Sequence, residues 1–174
     1  MDLLGDDIKR KDIFPAGRLD KDTIGMVLIT NDGTLSHRIL SPKKHIPKYY
    51  IVKLAESFQE DYVRQFAEGV IIDGGEKCLP AKVKRFPDCE KTAFIELHEG
   101  KYHQIKRMFS AVENSVEKLC RIQMGGLLMP EKLAIGEYME IMHKDVENLL
   151  KSQCFEEVFR NITENFSSYW INMQ

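Results

Sequence analysis

The sequence lacks the features that would mark a stapled, membrane-spanning or metal-binding chain. Its four cysteines, Cys78, Cys89, Cys120 and Cys154, lie far apart with no CxxC pair. Neither a disulfide framework nor a zinc site can be read from such spacing, which fits a reducing cytoplasm. No apolar run near the start has the form of a signal peptide, and none is long enough to cross a bilayer. Neither Gly74-Gly75 nor Gly125-Gly126 belongs to a phosphate-binding loop, so no metal or nucleotide cofactor is expected. Positive charge is not in excess either: Lys+Arg 25 against Asp+Glu 27 gives a formal net charge of -2, whereas nucleic-acid-binding domains are commonly basic. Only the distribution leaves room for such a partner, with Lys43, Lys44 and Lys48 in one cluster and Lys101, His103, Lys106 and Arg107 in another. Taken alone, each cluster reads as solvated surface.

What the chain does have is apolar content for a core, 43% of 174 residues, enough to fold without staples. Residues 1–16 show no periodicity, and Pro15 before Gly17 reads as a turn. Residues 26–29 read as a buried strand closed by an Asn31-Asp32-Gly33 turn, and residues 49–54 as a second strand. Ser57 with Glu60 makes a capping-box pattern for an amphipathic helix through Phe66, ended by Gly69. Residues 70–72, 79–86 and 92–97 alternate as antiparallel strands. Residues 101–111 have helical spacing, 120–129 and 137–142 read as strands, and 145–150 as a short helix. Phe155, Val158, Phe159, Ile162 and Phe166 form the apolar stripe of a last helix that must dock on something. The order predicts an α+β fold with a mostly antiparallel mixed sheet and flanking helices.

One segment stands apart. Gly17-Arg18-Leu19-Asp20-Lys21-Asp22-Thr23-Ile24-Gly25, running into Met26-Val27-Leu28-Ile29-Thr30-Asn31-Asp32-Gly33, resembles the signature of pseudouridine synthases over seventeen consecutive positions. Lys48-Tyr49-Tyr50-Ile51-Val52 resembles that family's lysine, any residue, tyrosine strand. Glu99-Gly100-Lys101-Tyr102-His103-Gln104-Ile105-Lys106-Arg107-Met108-Phe109 resembles the basic helix start of its RsuA-type members, which modify small-subunit ribosomal RNA. Leu119-Cys120-Arg121 with Met124-Gly125-Gly126 resembles the strand that closes the pocket. Four separated segments in the family's order make chance agreement a poor explanation.

The resemblance implies isomerisation of a uridine to pseudouridine in ribosomal RNA without a cofactor, with Asp20, Tyr50 and Lys106 as catalytic residues. Asp20 would attack C1′ or remove a neighbouring proton, and the residues leave both routes open. Lys106 would be the cation beside it, and Tyr50 the ring on which a flipped base rests. Arg18, Lys48, His103, Gln104, Arg107, Leu119 and Arg121 would line the pocket or hold RNA. Without the resemblance, Asp20 reads as a turn or cap residue and Tyr50 as a core tyrosine. Family members begin with a small S4-type RNA-binding domain and a strand carrying Asn-Lys-Pro, and neither precedes Asp2. The expected organisation is therefore an N-terminally shortened catalytic domain over residues 1–150, with residues 151–174 as a helical extension covering exposed sheet surface. The rival expectation is a truncated relative that binds RNA without acting on it. A glycosidase is disfavoured, because only Asp22 stands near Asp20 in sequence and that chemistry needs two carboxylates across the bond.

Overall fold

The computed structural model describes residues 12–41, 46–151 and 153–165. The expectations for residues 1–11 and for Lys43, Lys44 and Phe166 lie outside the described residues. In chain order the elements are β1 (Phe14–Pro15), β2 (Thr23–Gly25), β3 (Ile29–Thr30), α1 (Gly33–Leu40), β4 (Lys48–Leu54), α2 (Asp61–Glu68), β5 (Ile71–Ile72), β6 (Glu76–Lys77), β7 (Lys82–Arg85), β8 (Thr92–Leu97), α3 (Gln104–Ala111), β9 (Val116–Met124), β10 (Leu127–Leu128), α4 (His143–Leu149) and α5 (Phe155–Asn165).

The expected α+β fold is present. A six-stranded sheet runs β10-β9-β4-β8-β7, and β2 adds to it by a parallel pairing with β9. Every other ladder in that sheet is antiparallel. The outer edge of β9 is shared: Leu119, Cys120 and Arg121 pair with β2, while Gln123 and Met124 pair with β10. Central β4 is rich in aromatic and β-branched residues and buried on both faces, as a strand between two neighbours should be.

Alternation along β4 and β9 separates two cores. Tyr50, Val52, Leu54 and Leu119 face α2 and α3, packing with Tyr62, Phe66, Ile105, Met108 and Phe109. Tyr49, Ile51, Cys120 and Ile122 point the other way, and α5 lays Phe155, Val158, Phe159 and Ile162 on them together with Phe86 and Phe94. The tail thus covers a sheet face, as its stripe predicts. A third cluster of Ala16, Leu28, Ile39, Met124 and Leu149 seats α1 and α4 beside the sheet.

Four local expectations fail for identifiable reasons. Residues 26–29 are not one strand: Met26 gives its N–H to the Arg121 carbonyl (2.9 Å) as the chain leaves β2, and only Ile29 joins a short ladder with β1. Asn31-Asp32-Gly33 is not a turn closing a strand but the start of a helix, because Asp32 caps α1, its Oδ1 accepting from the Thr34 and Leu35 amides at 2.8 and 3.0 Å. The Ser57 capping box does not form; α2 starts at Asp61 after Glu60, which makes no side-chain cap bond, while the Ser57 hydroxyl reaches Glu90. Residues 137–142 pair with no strand, their exposed Tyr138, Met139 and Met142 finding no sheet to join. No helix among the described residues is long and apolar enough to cross a membrane.

Candidate active site

Asp20 lies in the turn that enters β2, closed by a hydrogen bond from the Thr23 amide to the Asp20 carbonyl (2.9 Å). β2 can run so close to β9 because Gly25 has φ of +105° and no side chain; a Cβ there would stand 2.2 Å from the Arg121 carbonyl oxygen. Arg121 then ties the loop from both sides. Its Nε donates to the Met26 carbonyl at 2.8 Å and its Nη1 to the Arg18 carbonyl at 3.4 Å, with only 3% of the residue exposed. Its Nη2 is buried without a partner. Arg121, expected from the resemblance as a pocket-lining residue, is thus engaged within the fold as a clamp beneath the loop.

The side chain of Asp20 is half-buried, and the imidazole beside it belongs to His103, with Nε2 to Oδ1 at 3.8 Å. His103 precedes the first turn of α3 in a left-handed conformation, φ 47° and ψ 36°, unusual for a residue with a side chain. The expected pairing of Asp20 with Lys106 is not formed. Lys106 hydrogen-bonds Asp22 instead, two residues further round the turn. That bond is the main reason the Asp22 carboxyl is held below its ordinary range, with His103 adding a smaller push in the same direction.

Three more of the expected RNA contacts are engaged within the fold. Gln104 is buried; its Oε1 accepts from the Lys101 amide (2.9 Å) and its Nε2 donates to Glu99 (2.7 Å), which closes the loop before α3. Arg107 is anchored on Asp73 and donates to the Tyr102 carbonyl at 3.1 Å. Lys48 is 7% exposed, and its ammonium donates to the Ile46 carbonyl at 3.2 Å. Burial first, and the charge of Arg121 second, lower its pKa to about 8. Arg18 is exposed, and its backbone is what the clamp holds.

Tyr50 pairs with Arg121 across the β4–β9 ladder, next to a bulge where β9 gains a residue at Ile122. Its ring joins Leu119, Ile105 and Met108 in the core that α3 covers. The fold thus gathers Tyr50, Leu119, Arg121 and Lys48 on the α3 side of the sheet, with Asp20, Asp22, His103 and Lys106 at the junction of β2 and α3. Asp22 is the member that spacing did not suggest; it could have been found from its place on the same turn as Asp20.

A protein-family profile described as RNA pseudouridylate synthase matches residues 3–111. The chain belongs to that family. Among its relatives, an "uncharacterized RNA pseudouridine synthase" of Bacillus subtilis is 44% identical over 155 residues, covering 88% of this chain and 65% of that protein. A "ribosomal small subunit pseudouridine synthase A" of Vibrio vulnificus is 43% identical over 150 residues, covering 86% and 64%. The protein of the same name in Escherichia coli is 42% identical over 140 residues, covering 79% and 59%. A crystal structure of a pseudouridylate synthase superposes with a TM-score of 0.75 at 42% identity, covering 79% of this chain and 60% of that one. The chain thus spans less than two thirds of the length of these pseudouridine synthases.

Proposed function

We propose that this chain isomerises a specific uridine of small-subunit ribosomal RNA to pseudouridine in the cytoplasm. The observation that carries the reading is the Asp20 carboxylate: half-buried, beside His103, on a loop clamped at both ends by Arg121. The reaction breaks the C1′–N1 bond, turns the freed uracil and joins C1′ to C5; C5 loses a proton and N1 gains one, so nothing is oxidised or reduced. A carboxylate held at the ribose can attack C1′ or take up a sugar proton, and either use needs it fixed within a few tenths of an ångström. Arg121 is a positioning residue in this scheme. Tyr50, 9% exposed in the cluster that also holds Leu119, is the ring on which a base turned out of its stack would rest. Lys106 steadies the turn through Asp22, and exposed Arg18 is free to meet phosphate.

The test is incubation with unmodified small-subunit ribosomal RNA beside an Asp20→Ala variant, with new pseudouridines mapped by a chemistry selective for them. The parent should produce one modified position, and the variant should be slower by at least about 100-fold, the lower end for losing a positioned acid–base group. RNA bound without any new pseudouridine would overturn the reading.

A further inference from the structure

Tyr102 is the most exposed aromatic ring among the described residues, 72% open, yet it is not loosely held. Its ring lies on the imidazole of His103, centroids 3.9 Å apart and planes 18° from parallel. Its carbonyl accepts a hydrogen bond from Arg107, which is itself anchored on Asp73. The loop before it is closed by Gln104 through Lys101 and Glu99. An apolar ring kept in water and fixed at both its backbone and one of its faces has already lost the freedom that binding would otherwise cost. Because His103 also lies 3.8 Å from Asp20, the Tyr102 ring stands one imidazole away from the carboxylate.

We propose that Tyr102 is a stacking platform for a nucleobase of the RNA, the neighbour of the nucleotide presented to Asp20. The chemistry recognised is a π-face, which any base offers, so Tyr102 adds affinity and register without reading sequence. His103 backs the platform and shares its position between the ring and Asp20. The inference rests on the proposed RNA substrate but not on catalysis.

The measurement is equilibrium binding of unmodified small-subunit ribosomal RNA to the full chain, with pseudouridine counted in the same samples, for the parent, Tyr102→Phe, Tyr102→Trp, Tyr102→Leu and Tyr102→Ala. Loss of one base–aromatic stack should raise Kd by about 5- to 150-fold in the Leu and Ala variants. The Phe and Trp variants should bind like the parent, and turnover at saturating RNA should persist in all four. Parent-like binding by Tyr102→Leu would overturn the proposal, as would a Phe variant as weak as Ala, or a parent that binds no RNA. Ring-dependent binding with no pseudouridine from the parent would sustain the platform while overturning the proposed reaction. Pseudouridine formed equally by parent and Tyr102→Ala, at equal Kd, would overturn the platform alone.

Discussion

The two faces of the central sheet are built on opposite principles. Under α5, Tyr49, Ile51, Phe94, Cys120 and Ile122 meet Phe155, Val158, Phe159 and Ile162, and the charges on that face are paired, buried Glu96 with Lys82 at 3.1 Å and Lys84 with Glu156 at 2.6 Å. Phe94 stacks on Phe155 at 5.4 Å and Phe86 meets Phe159 edge-on at 6.1 Å. On the α3 side the same two strands bury Lys48 and Arg121, two cations with only backbone acceptors, and one guanidinium nitrogen has none. Burying a charge without a counter-charge is costly, so the α3 side gives up stability where the α5 side supplies it. The lesson is a division of labour: one face holds the sheet together, and the other holds the candidate site with buried cations that lack a counter-charge.

The largest break in that contrast should come from Phe159→Ala. Removing a buried phenylalanine typically costs about 3–5 kcal/mol, and denaturant unfolding would show it as a lower midpoint. Pseudouridine formation per folded molecule should be unchanged, because the α5 cluster includes none of Asp20, Asp22, Tyr50, Arg121 or Lys106 and meets the β2 segment only through Ile24 and Met26. A loss of activity beyond the loss of folded protein would show that the two faces are coupled.

Next in size is Lys48→Met, which should stabilise the fold at neutral pH. The Lys48 pKa falls from an ordinary 10.5 to about 8, a shift worth at most about 3 kcal/mol. Because the folded value is the lower one, the unfolded chain binds the extra proton between about pH 8 and 10.5. The penalty is therefore complete below about pH 8 and is relieved as pH rises through that window. Subtracting the stability profile of Lys48→Met from the parent's isolates this effect, since Cys120, pushed up to about 12 by burial, titrates in both. A flat difference across the window would mean that Lys48 is better solvated than its 7% exposure implies.

The same contrast explains what could be read from the sequence. The α5 face was legible, because its stripe of Phe155, Val158, Phe159 and Ile162 repeats at helical period and a stripe of that width must be covered. The α+β class follows from the order of elements, β8 from alternation and β4 from its aromatic and β-branched run, whereas the strand expected over 120–129 is divided by the Gly125-Gly126 turn into the end of β9 and β10. The candidate site was legible only as a set of motif positions. Whether Lys106 turns to Asp20 or Asp22 depends on how a turn two residues wide meets the first turn of α3, which no periodicity encodes. Likewise Arg107, Gln104 and Arg121 read as RNA contacts by residue type, and their enclosure by Asp73, Glu99 and the Asp20 loop comes from contacts distant in sequence. α1 was missed because Asp32-Gly33 serves equally as a turn and as a helix cap, and the choice falls to where Ile39 can be buried.

The smallest effect belongs to the rim, where Lys106 meets Asp22. The Asp22 side chain is 69% exposed and that of Lys106 24%, so the pair should contribute no more than about 1 kcal/mol and should weaken in strong salt. The Asp22 carboxyl is held below its ordinary 3.8, chiefly by the Lys106 hydrogen bond. Its stabilisation is therefore present above that ordinary value and is lost as pH falls through the lowered one. A double-mutant cycle with Asp22→Asn and Lys106→Met, followed by thermal unfolding, should show a coupling that disappears both in acid and in strong salt. Run on pseudouridine formation, the cycle separates the two assignments of Lys106. If the lysine acts by steadying the turn through Asp22, then Lys106→Met should add nothing to Asp22→Asn. If it serves Asp20 directly once RNA is bound, Lys106→Met should slow the reaction equally in both backgrounds, and the site should be redrawn around an Asp20–Lys106 pair.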